Sequence, residues 1–193
     1  MLNRSESEMD ALSNVLAILD ARCELSGELV AGGKWARRFA NLDAIKLCAA
    51  THGTCWYSME GLHSPVLFNA GDVLVMNGLH SLVLASEPSL IAKATVQAAK
   101  KNINGQYQLG KGHSFSMLGG IVRIEAEQRT LLQSGLPPLI HICGGTDEAM
   151  PLIWLLEQLV MEMHSTARLG KTIVTTGLTQ LLFVQTLRAY LTQ

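Results

Sequence analysis

The sequence predicts a mainly β fold, an antiparallel barrel or sandwich, followed by a pair of helices. The β portion is indicated by three short apolar runs within residues 65–86, separated by turns that contain Gly71 and Gly78. Runs of β-branched and leucyl residues punctuated by Asn, Gly and Asp are typical of strands joined by tight turns. The helical portion is indicated by two longer segments with helical apolar spacing after Gly135.

Composition indicates a packed globular protein. The 193 residues are 48% hydrophobic and 16% charged, and their net charge is −1 at pH 7. A DNA-binding module normally carries a basic excess to neutralise phosphates, so direct DNA binding by this chain is not expected. No apolar run is long enough to cross a bilayer, and there is no C-x-x-C motif among the four cysteines, which are Cys23, Cys48, Cys55 and Cys143. We therefore expect a cytoplasmic protein with free thiols and no membrane contact.

The N-terminal elements follow in order. Leucines at three- and four-residue spacing predict a helix from about Met9 to Leu19. Cys23–Ala40 is predicted as strand and turn, interrupted by Gly27 and by Gly32-Gly33. A longer strand is predicted over Asp43–Tyr57, with a bulge or kink at His52-Gly53.

The central strands are predicted at Val66–Phe68, Val73–Met76 and Leu82–Leu84. Val73, Leu74 and Val75 are consecutively apolar, which indicates a strand covered on both faces. The turns that flank this strand require positive φ at Gly71 and Gly78, which glycine adopts without a Cβ clash.

The next segment is predicted to be a short helix over Ser89–Lys101, with Ser89 as its N-cap. Strands over Gln106–Gln108 and Phe115–Glu125 then close the β portion, and Gly119-Gly120 indicates a bend or a close backbone approach. Leu139–Cys143 is the last apolar run before the helices.

Helices are predicted over Glu148–His164 and Lys171–Leu191, with a short link that favours an antiparallel hairpin. The first helix is apolar on two sides, so one face is expected to lie on the barrel and the other to meet a second copy of the chain. We place the division between the two parts at residues 1–145 and 146–193.

Several of these stretches resemble one known family. AGDVLVMNGLHSLVLASEP at residues 70–88, M-D-A-L-S at 9–13, P-P-L-I-H-I at 137–142 and W-L-L-E-Q-L-V at 154–160 are similar to the cupin-like N-terminal domain of AraC-type transcriptional regulators. The resemblance runs from about Met9 to Leu191. It implies a cupin-like double-stranded β-helix, or jelly-roll barrel, followed by an antiparallel helical hairpin.

The resemblance also implies a function. In that family the barrel senses a small-molecule effector, the helices dimerise, and DNA is bound by a separate C-terminal pair of helix-turn-helix units. We expect that DNA-binding module to lie outside these 193 residues. The chain is then expected to be part of a longer regulator or, alternatively, a stand-alone sensor.

Two sets of site residues follow from these expectations. The predicted ligand pocket consists of Leu47, Cys48, Trp56, Met76, His80 and Leu82. The face on which each side chain lies is left open, because a one-residue slip in strand register would turn it to the other side of the sheet. The predicted dimer interface consists of Trp154, Leu155, Leu159, Leu181, Val184 and Leu187.

Three other classes compete with an effector domain: an enzyme that uses either a metal or a thiol, a redox sensor, and a scaffold. A cupin metalloenzyme normally needs an H-x-H pair, and this sequence has none. Cys48, His80 and His113 are then the remaining candidates for ligands to a soft metal ion. His141 and Cys143 at i and i+2 suggest a nucleophile and its base, and Cys23 beside Arg22 suggests a thiol-based redox sensor. A scaffold with a filled barrel is the third class. We expect no cofactor, no metal and no catalytic residue.

Overall fold

The computed structural model describes residues 20–40, 44–96, 100–103, 105–165 and 168–192, together with Leu12, Asn14 and Leu16. The strands in this part of the chain are β1 (Arg22–Gly32), β2 (Ala36–Phe39), β3 (Ile45–Met59), β4 (Val66–Asn69), β5 (Val73–Met76), β6 (Leu82–Ala85), β7 (Lys100–Lys101), β8 (Tyr107–Gly110), β9 (Phe115–Arg123) and β10 (Leu139–Ile142). The α-helices are α1 (Ala126–Gly135), α2 (Met150–His164) and α3 (Lys171–Leu191), and short 3₁₀ helices cover Pro88–Lys93 and Asp147–Ala149.

The barrel is built around β3, which takes part in two sheets. Its first half pairs with β5 and β9 in a sheet ordered β10-β5-β3-β9-β1-β8-β7. Its second half pairs with β4 and β6, and β6 pairs in turn with β2. The register of β3 shifts between Ala50 and His52, and Gly53 has a φ of +69°, so the interruption predicted at His52-Gly53 is confirmed. The bend carries the strand from one sheet into the other.

The three central strands form as predicted, but they do not pair with one another. Each pairs with β3 instead: Phe68 lies opposite Cys55, Val75 opposite Leu47, and Leu84 opposite Tyr57. The intervening turns pass the chain back and forth between the two sheets. Gly71 and Gly78 have φ values of +92° and +84°, which confirms the predicted left-handed turns.

The large sheet divides the interior into two apolar clusters, one on each face. The helix-side core lies between the sheet and the helices and contains Leu47, Ala49, Val75, Leu159 and Leu187, among others. The barrel core lies between the two sheets and contains Cys48, Leu74, Phe68, Phe115 and Met117, among others. All four residues of β5 are buried, as its continuous apolar sequence predicted.

Helix predictions between the strands need correction. The helix expected over Ser89–Lys101 is a 3₁₀ helix that ends at Lys93, because Ala94 has extended backbone with ψ of 130°. Pro88 occupies the first turn, and the Ser89 hydroxyl donates to Glu87 instead of capping the helix. The strand expected to reach Glu125 ends at Arg123, and α1 was not predicted. Glu127 lies in the first turn of this helix.

The C-terminal hairpin forms as predicted, and its residues share the helix-side core with the sheet. Helix α3, however, turns a threonine-rich face inward. Thr175, Thr179 and Thr186 are buried, and their hydroxyls donate to backbone carbonyls one turn earlier. These small side chains allow α3 to approach the sheet closely, and the expected apolar residues Ile173, Val174 and Leu181 are exposed.

Specific hydrogen bonds fix the hairpin on the sheet. The Gln180 side chain accepts from the backbone N–H of Cys23 at 2.6 Å and donates to the carbonyl of Ala21 at 3.0 Å.

The predicted N-terminal helix lies largely outside the described residues, but Leu12 and Leu16 are helical and pack on the helix-side core. The division at residues 145 and 146 stays a prediction, since both parts contribute to one core.

Candidate functional site

A cavity of about 490 Å³ opens into the barrel between the large sheet and β2. Its walls come from β1, β3, β9 and β5 on one side, from β2 on the other, and from β8 at the edge. The lining residues that matter below are Gly27, Leu29, Arg37, Phe39, Lys46, Cys48, Met76, Tyr107, Met117 and Gly119. A barrel of this size encloses space for one small ligand.

Glycines on neighbouring strands create the space. Gly119 of β9 lies opposite Cys48 on one side and opposite Gly27 of β1 on the other. A Cβ atom at Gly119 would come within 2.8 Å of the Ser26 hydroxyl, and one at Gly27 would come within 3.0 Å of the Tyr107 ring. Because neither position carries a side chain, the sheet has a hollow where side chains would otherwise fill the barrel.

Part of the cavity wall is formed by apolar, flexible side chains. Leu29, Met76 and Met117 belong to the barrel core and face the hollow. Thioether side chains are flexible and polarisable, so they adapt to ligands of different shape. The aromatic rings of Phe39 and Tyr107 line the rim.

Three cationic side chains also line the cavity, those of Arg37, Lys46 and Arg123. The Arg37 guanidinium lies 4.8 Å from the centre of the Phe39 ring, and its buried Nε atom has no hydrogen-bond partner. Burial lowers the pKa of Arg37 and the pKa of Lys46. Tyr107 acts to raise the pKa of Arg37, and Cys48 acts to raise that of Lys46, but burial has the larger effect. Within the described part of the chain, no carboxylate forms an ion pair with either group, whereas neighbouring Arg123 pairs with Glu24 at 3.2 Å. The cavity is therefore an apolar hollow with uncompensated positive charge.

The structure brings together only some of the predicted pocket residues. Leu47, Cys48 and Met76 line the cavity, but the Leu47 side chain packs into the helix-side core. Leu82 lies in the barrel core without reaching the cavity, and His80 lies 3.7 Å from Glu60. Trp56 is half-buried between Cys55 and Tyr57, which both point into the barrel core. Adjacent strand residues point to opposite faces, so Leu47 and Trp56 do not face the interior.

Sequence reasoning missed Arg37, Lys46, Tyr107 and Met117, and the contribution of each predicted residue to ligand binding stays a prediction. The missing signal was strand register. Once Lys46 is known to lie opposite Met76 and Ile121, its position on the cavity face follows.

The residues do not fit an interior metal or an activated thiol. Cys48 is buried in the barrel core, His80 lies near Glu60, and His113 packs against His52 with ring centres 5.3 Å apart. Burial raises the pKa of Cys48 to about 12 and also that of Cys23 to about 12.

Arg22, the neighbour proposed to activate Cys23, pairs with Asp20 at 3.1 Å. The thiol of Cys23 therefore stays protonated, which removes the basis for a redox sensor at this position.

The predicted dimer residues also separate into two groups. Leu155, Leu159 and Leu187 are buried in the helix-side core of the same chain, so they cannot contact a partner. Trp154 and Leu181 are exposed on α2 and α3, and Val184 is half-buried. Helical spacing identified apolar positions but could not tell which of the two stripes on α2 the sheet would cover.

A family model described as cupin matches residues 10–192. The chain belongs to this cupin family. Over 183 residues it is 29% identical to a protein of Streptomyces lividans and 28% identical to one of Streptomyces antibioticus, both named as AraC-like transcription regulators. Each match covers 95% of this chain and 60% of the relative. The resemblance to AraC-type regulatory domains is thereby confirmed, and the chain spans about three-fifths of the length of these relatives.

Solved structures with a similar fold include ToxT of Vibrio cholerae. An apo ToxT variant has a TM-score of 0.46 at 10% identity, covering 88% of this chain and 56% of that chain. ToxT bound to an unsaturated fatty acid has a TM-score of 0.43 at 10% identity, covering 88% of this chain and 53% of that chain. At this level of similarity no ligand of ToxT transfers to this protein. No helix within the described residues is both long and apolar enough to cross a membrane.

Proposed function

We propose that this cupin domain is the effector-binding domain of an AraC-like transcription regulator, and that its effector is a small anionic molecule with an apolar portion. The observation that carries the ligand class is the buried Nε of Arg37, which has no hydrogen-bond partner and lies at a cavity lined by apolar side chains and by Lys46. The relatives named as AraC-like regulators support the regulatory role.

The electrostatics favour an anion. Desolvating a cation without a counter-charge is costly, and burial already lowers the pKa of both Arg37 and Lys46. A carboxylate or comparable anion placed between them would accept charge-assisted hydrogen bonds and offset that cost. The apolar remainder of the ligand would lie against Leu29, Met76 and Met117.

Three ten-carbon probes test this ligand class: decanoate, decanol and decylamine. We expect decanoate to raise the melting temperature and to bind in calorimetry, decanol to bind more weakly, and decylamine not to bind. Arg37→Gln should weaken decanoate binding by roughly 10- to 100-fold, the range expected for loss of a charge-assisted hydrogen bond. Lys46→Gln should weaken it by about 10-fold because the ammonium acts mainly as a point charge.

Arg38→Gln is the matched control. Arg38 is the next residue on β2, its guanidinium donates to the Ser81 hydroxyl at 3.3 Å, and it does not line the cavity. Its removal takes away the same charge and should leave decanoate affinity unchanged. Equal binding of decanoate and decylamine, or undiminished binding by Arg37→Gln, would refute an anion site.

Regulation requires the rest of such a regulator. We infer that DNA is bound by a part of the protein outside these residues, consistent with the net charge of −1. A ligand changes the activity of a regulator only if it binds one conformation better than another. The hairpin is the proposed output element, because it packs on the back of the strands that line the cavity. We propose that the barrel acts by binding and carries out no reaction.

We further propose that a second copy of the chain covers the exposed apolar residues of the hairpin. Trp154 is 57% exposed and Leu181 is 51% exposed, and Met161, Ile173 and Val174 of the same helices are exposed as well. Exposed apolar side chains that form a patch often mark a protein–protein contact. Leu155, Leu159 and Leu187 are omitted from this interface because they are buried.

Combined Trp154→Glu and Leu181→Glu substitutions should convert dimers to monomers in light scattering after gel filtration. Val96→Glu, an exposed apolar residue outside the helices, is the control and should leave the dimer intact. A dimer that persists in the double variant, or a monomeric native chain, would exclude this interface.

A further inference from the structure

Three metal-ligating side chains converge outside the effector cavity, where the turn before β5 meets the turn after β10. Asp72 immediately precedes β5, His141 lies on β10, and Cys143 immediately follows β10. Antiparallel pairing places Ile142 opposite Val73, so the two turns lie side by side. Among the described residues, no other group of three such side chains comes this close together.

The distances within this Asp72–His141–Cys143 cluster suit chelation. The Asp72 Oδ2 atom lies 3.2 Å from His141 Nε2, and the Cys143 Sγ atom lies 3.9 Å from the same nitrogen. All three ligand atoms lie within 4.8 Å of one another. Tetrahedral zinc with ordinary bond lengths separates oxygen from nitrogen by roughly 3.4 Å and nitrogen from sulfur by roughly 3.6 Å. The oxygen–nitrogen and nitrogen–sulfur separations are thus within a few tenths of an ångström of these values. Rotation of the exposed Cys143 side chain would adjust the separation between sulfur and oxygen, and water would supply the fourth ligand.

The outer contacts hold the histidine in a suitable orientation. His141 Nδ1 lies 3.1 Å from the Tyr57 hydroxyl, and the two rings meet edge to face. Burial raises the pKa of Tyr57 to about 12, so the phenol stays neutral and its oxygen can accept a hydrogen bond. With a proton on Nδ1 directed at Tyr57, Nε2 presents its lone pair to the cluster, as in many zinc sites. The other tautomer donates from Nε2 to Asp72, so binding a cation would place the ring proton on Nδ1 and replace the hydrogen bond to Asp72 with metal coordination.

Asp72 is held equally firmly. Its Oδ1 accepts from the backbone N–H of Gly144 at 2.8 Å, and its Oδ2 accepts from that of Asn69 at 2.8 Å. Burial raises the pKa of Asp72, but the hydrogen bonds from His141, Asn69 and Gly144 outweigh burial and keep that pKa below its usual value. The carboxylate is therefore ionised at neutral pH and fixed in place, while exposed Cys143 leaves a path for a cation from solvent.

The arrangement does not suit the nucleophile and base suggested by the His141 and Cys143 spacing. In a catalytic triad, the nucleophile and the carboxylate contact different nitrogens of the histidine. Here Cys143 and Asp72 both face Nε2, while Nδ1 faces Tyr57. Three donor atoms that point toward one place form a chelating group, and no proton relay runs through the ring.

We propose that Asp72, His141 and Cys143 bind a thiophilic divalent cation, with Zn²⁺ the best match to one oxygen, one nitrogen and one sulfur ligand. A metal here would tie the turn before β5 to the segment that leads into α2. The site borders the barrel core through Tyr57 and Phe68 but shares no residue with the effector cavity, so it does not depend on the effector proposal.

Cobalt and zinc titrations of the reduced, chelator-treated chain test this site. We expect Co²⁺ to bind with a stoichiometry of one and to produce a thiolate-to-cobalt charge-transfer band in the near ultraviolet, and Zn²⁺ to displace it. Cys143→Ser should abolish the band and weaken Zn²⁺ binding at least 10-fold. The residue is exposed, so this variant should fold normally.

Further variants separate the cluster from other histidines. His141→Gln should also abolish the band, and Tyr57→Phe should keep it while weakening Zn²⁺ binding by about 10-fold, as expected for an outer-shell contact. His113→Gln is the matched control and should bind Zn²⁺ as the native chain does, since its ring packs on His52. Arg37→Gln should also retain the band, which keeps this test independent of the effector cavity.

Absence of stoichiometric binding, cobalt binding without the charge-transfer band, or native Zn²⁺ affinity in Cys143→Ser would each overturn the proposal.

Discussion

The two faces of the large sheet are made from alternate residues of the same strands, yet they have different properties. On β3, Leu47 and Ala49 point toward the helices and are buried in the helix-side core. Lys46 and Cys48, their neighbours in sequence, line the cavity on the other face. The helix-side face is closed by aliphatic side chains of α2 and α3, whereas the barrel face combines sulfur, aromatic and cationic side chains around an open hollow.

This difference suggests a division of roles. The helix-side core consists of buried apolar side chains, so it contributes mainly to stability. The barrel face gives up some packing at Gly27 and Gly119 and keeps a buried, unpartnered nitrogen at Arg37, two features that support the ligand site proposed above. Incomplete packing with uncompensated charge is therefore the better guide to the functional face.

The largest expected effect compares one deletion in each core. Leu152 is fully buried in the helix-side core, so Leu152→Ala should destabilise the chain by about 2–5 kcal/mol. Met76 lines the cavity, so Met76→Ala enlarges an existing space and should cost less than half as much. Urea unfolding with an unchanged slope measures both. Equal losses would contradict the distinction between a packed face and an open one.

A smaller effect comes from two neighbouring glycines that face opposite ways. A Cβ at Gly120 would lie 3.4 Å from both Leu47 Cβ and Thr179 Cγ2, where α3 approaches the sheet, so Gly120→Ala should cost about 1–3 kcal/mol. A Cβ at Gly119 would meet only the Ser26 hydroxyl closely, and that side chain can rotate away.

Gly119→Ala should therefore cost under about 1 kcal/mol, in the range of mild substitutions. Urea unfolding of the two variants measures the difference. A larger loss at Gly119 than at Gly120 would reverse the assignment of the faces.

The third comparison leaves stability unchanged and measures thiol accessibility. Cys143 is exposed, while Cys23, Cys48 and Cys55 are buried. Burial raises the pKa of all four thiols, and at Cys143 the Asp72 carboxylate raises it further. Because the thiolate is the reactive form, labelling of Cys143 by iodoacetamide should accelerate as pH rises from 7 to 9.

Intact mass spectrometry should show one label per native chain, four after denaturation, and none rapidly added to native Cys143→Ser. Rapid labelling of a second cysteine would show that one of the buried thiols is accessible, and would revive the redox-sensor alternative.

Much of the fold could be predicted from sequence because its signals are local. The bend at Gly53, the left-handed turns at Gly71 and Gly78, and the bounds of α3 were all read from neighbouring residues. Helix α1 was missed because its polar sequence has little apolar periodicity. It is held instead by Gln133, whose side chain donates to the carbonyl of Asn77 at 2.8 Å, a contact between residues far apart in the chain.

The sequence by itself determined the family, the order of strands and helices, and the apolar positions of the two long helices. Tertiary structure alone decided which face each side chain occupies: Leu47 toward the helices, Lys46 toward the cavity, and Leu159 into the core instead of a dimer interface. The physical reason is that a strand alternates with a period of two whichever face is inside, and only pairing with distant strands sets the register. The same long-range pairing brings Asp72 beside His141, although the two residues are 69 positions apart in the chain.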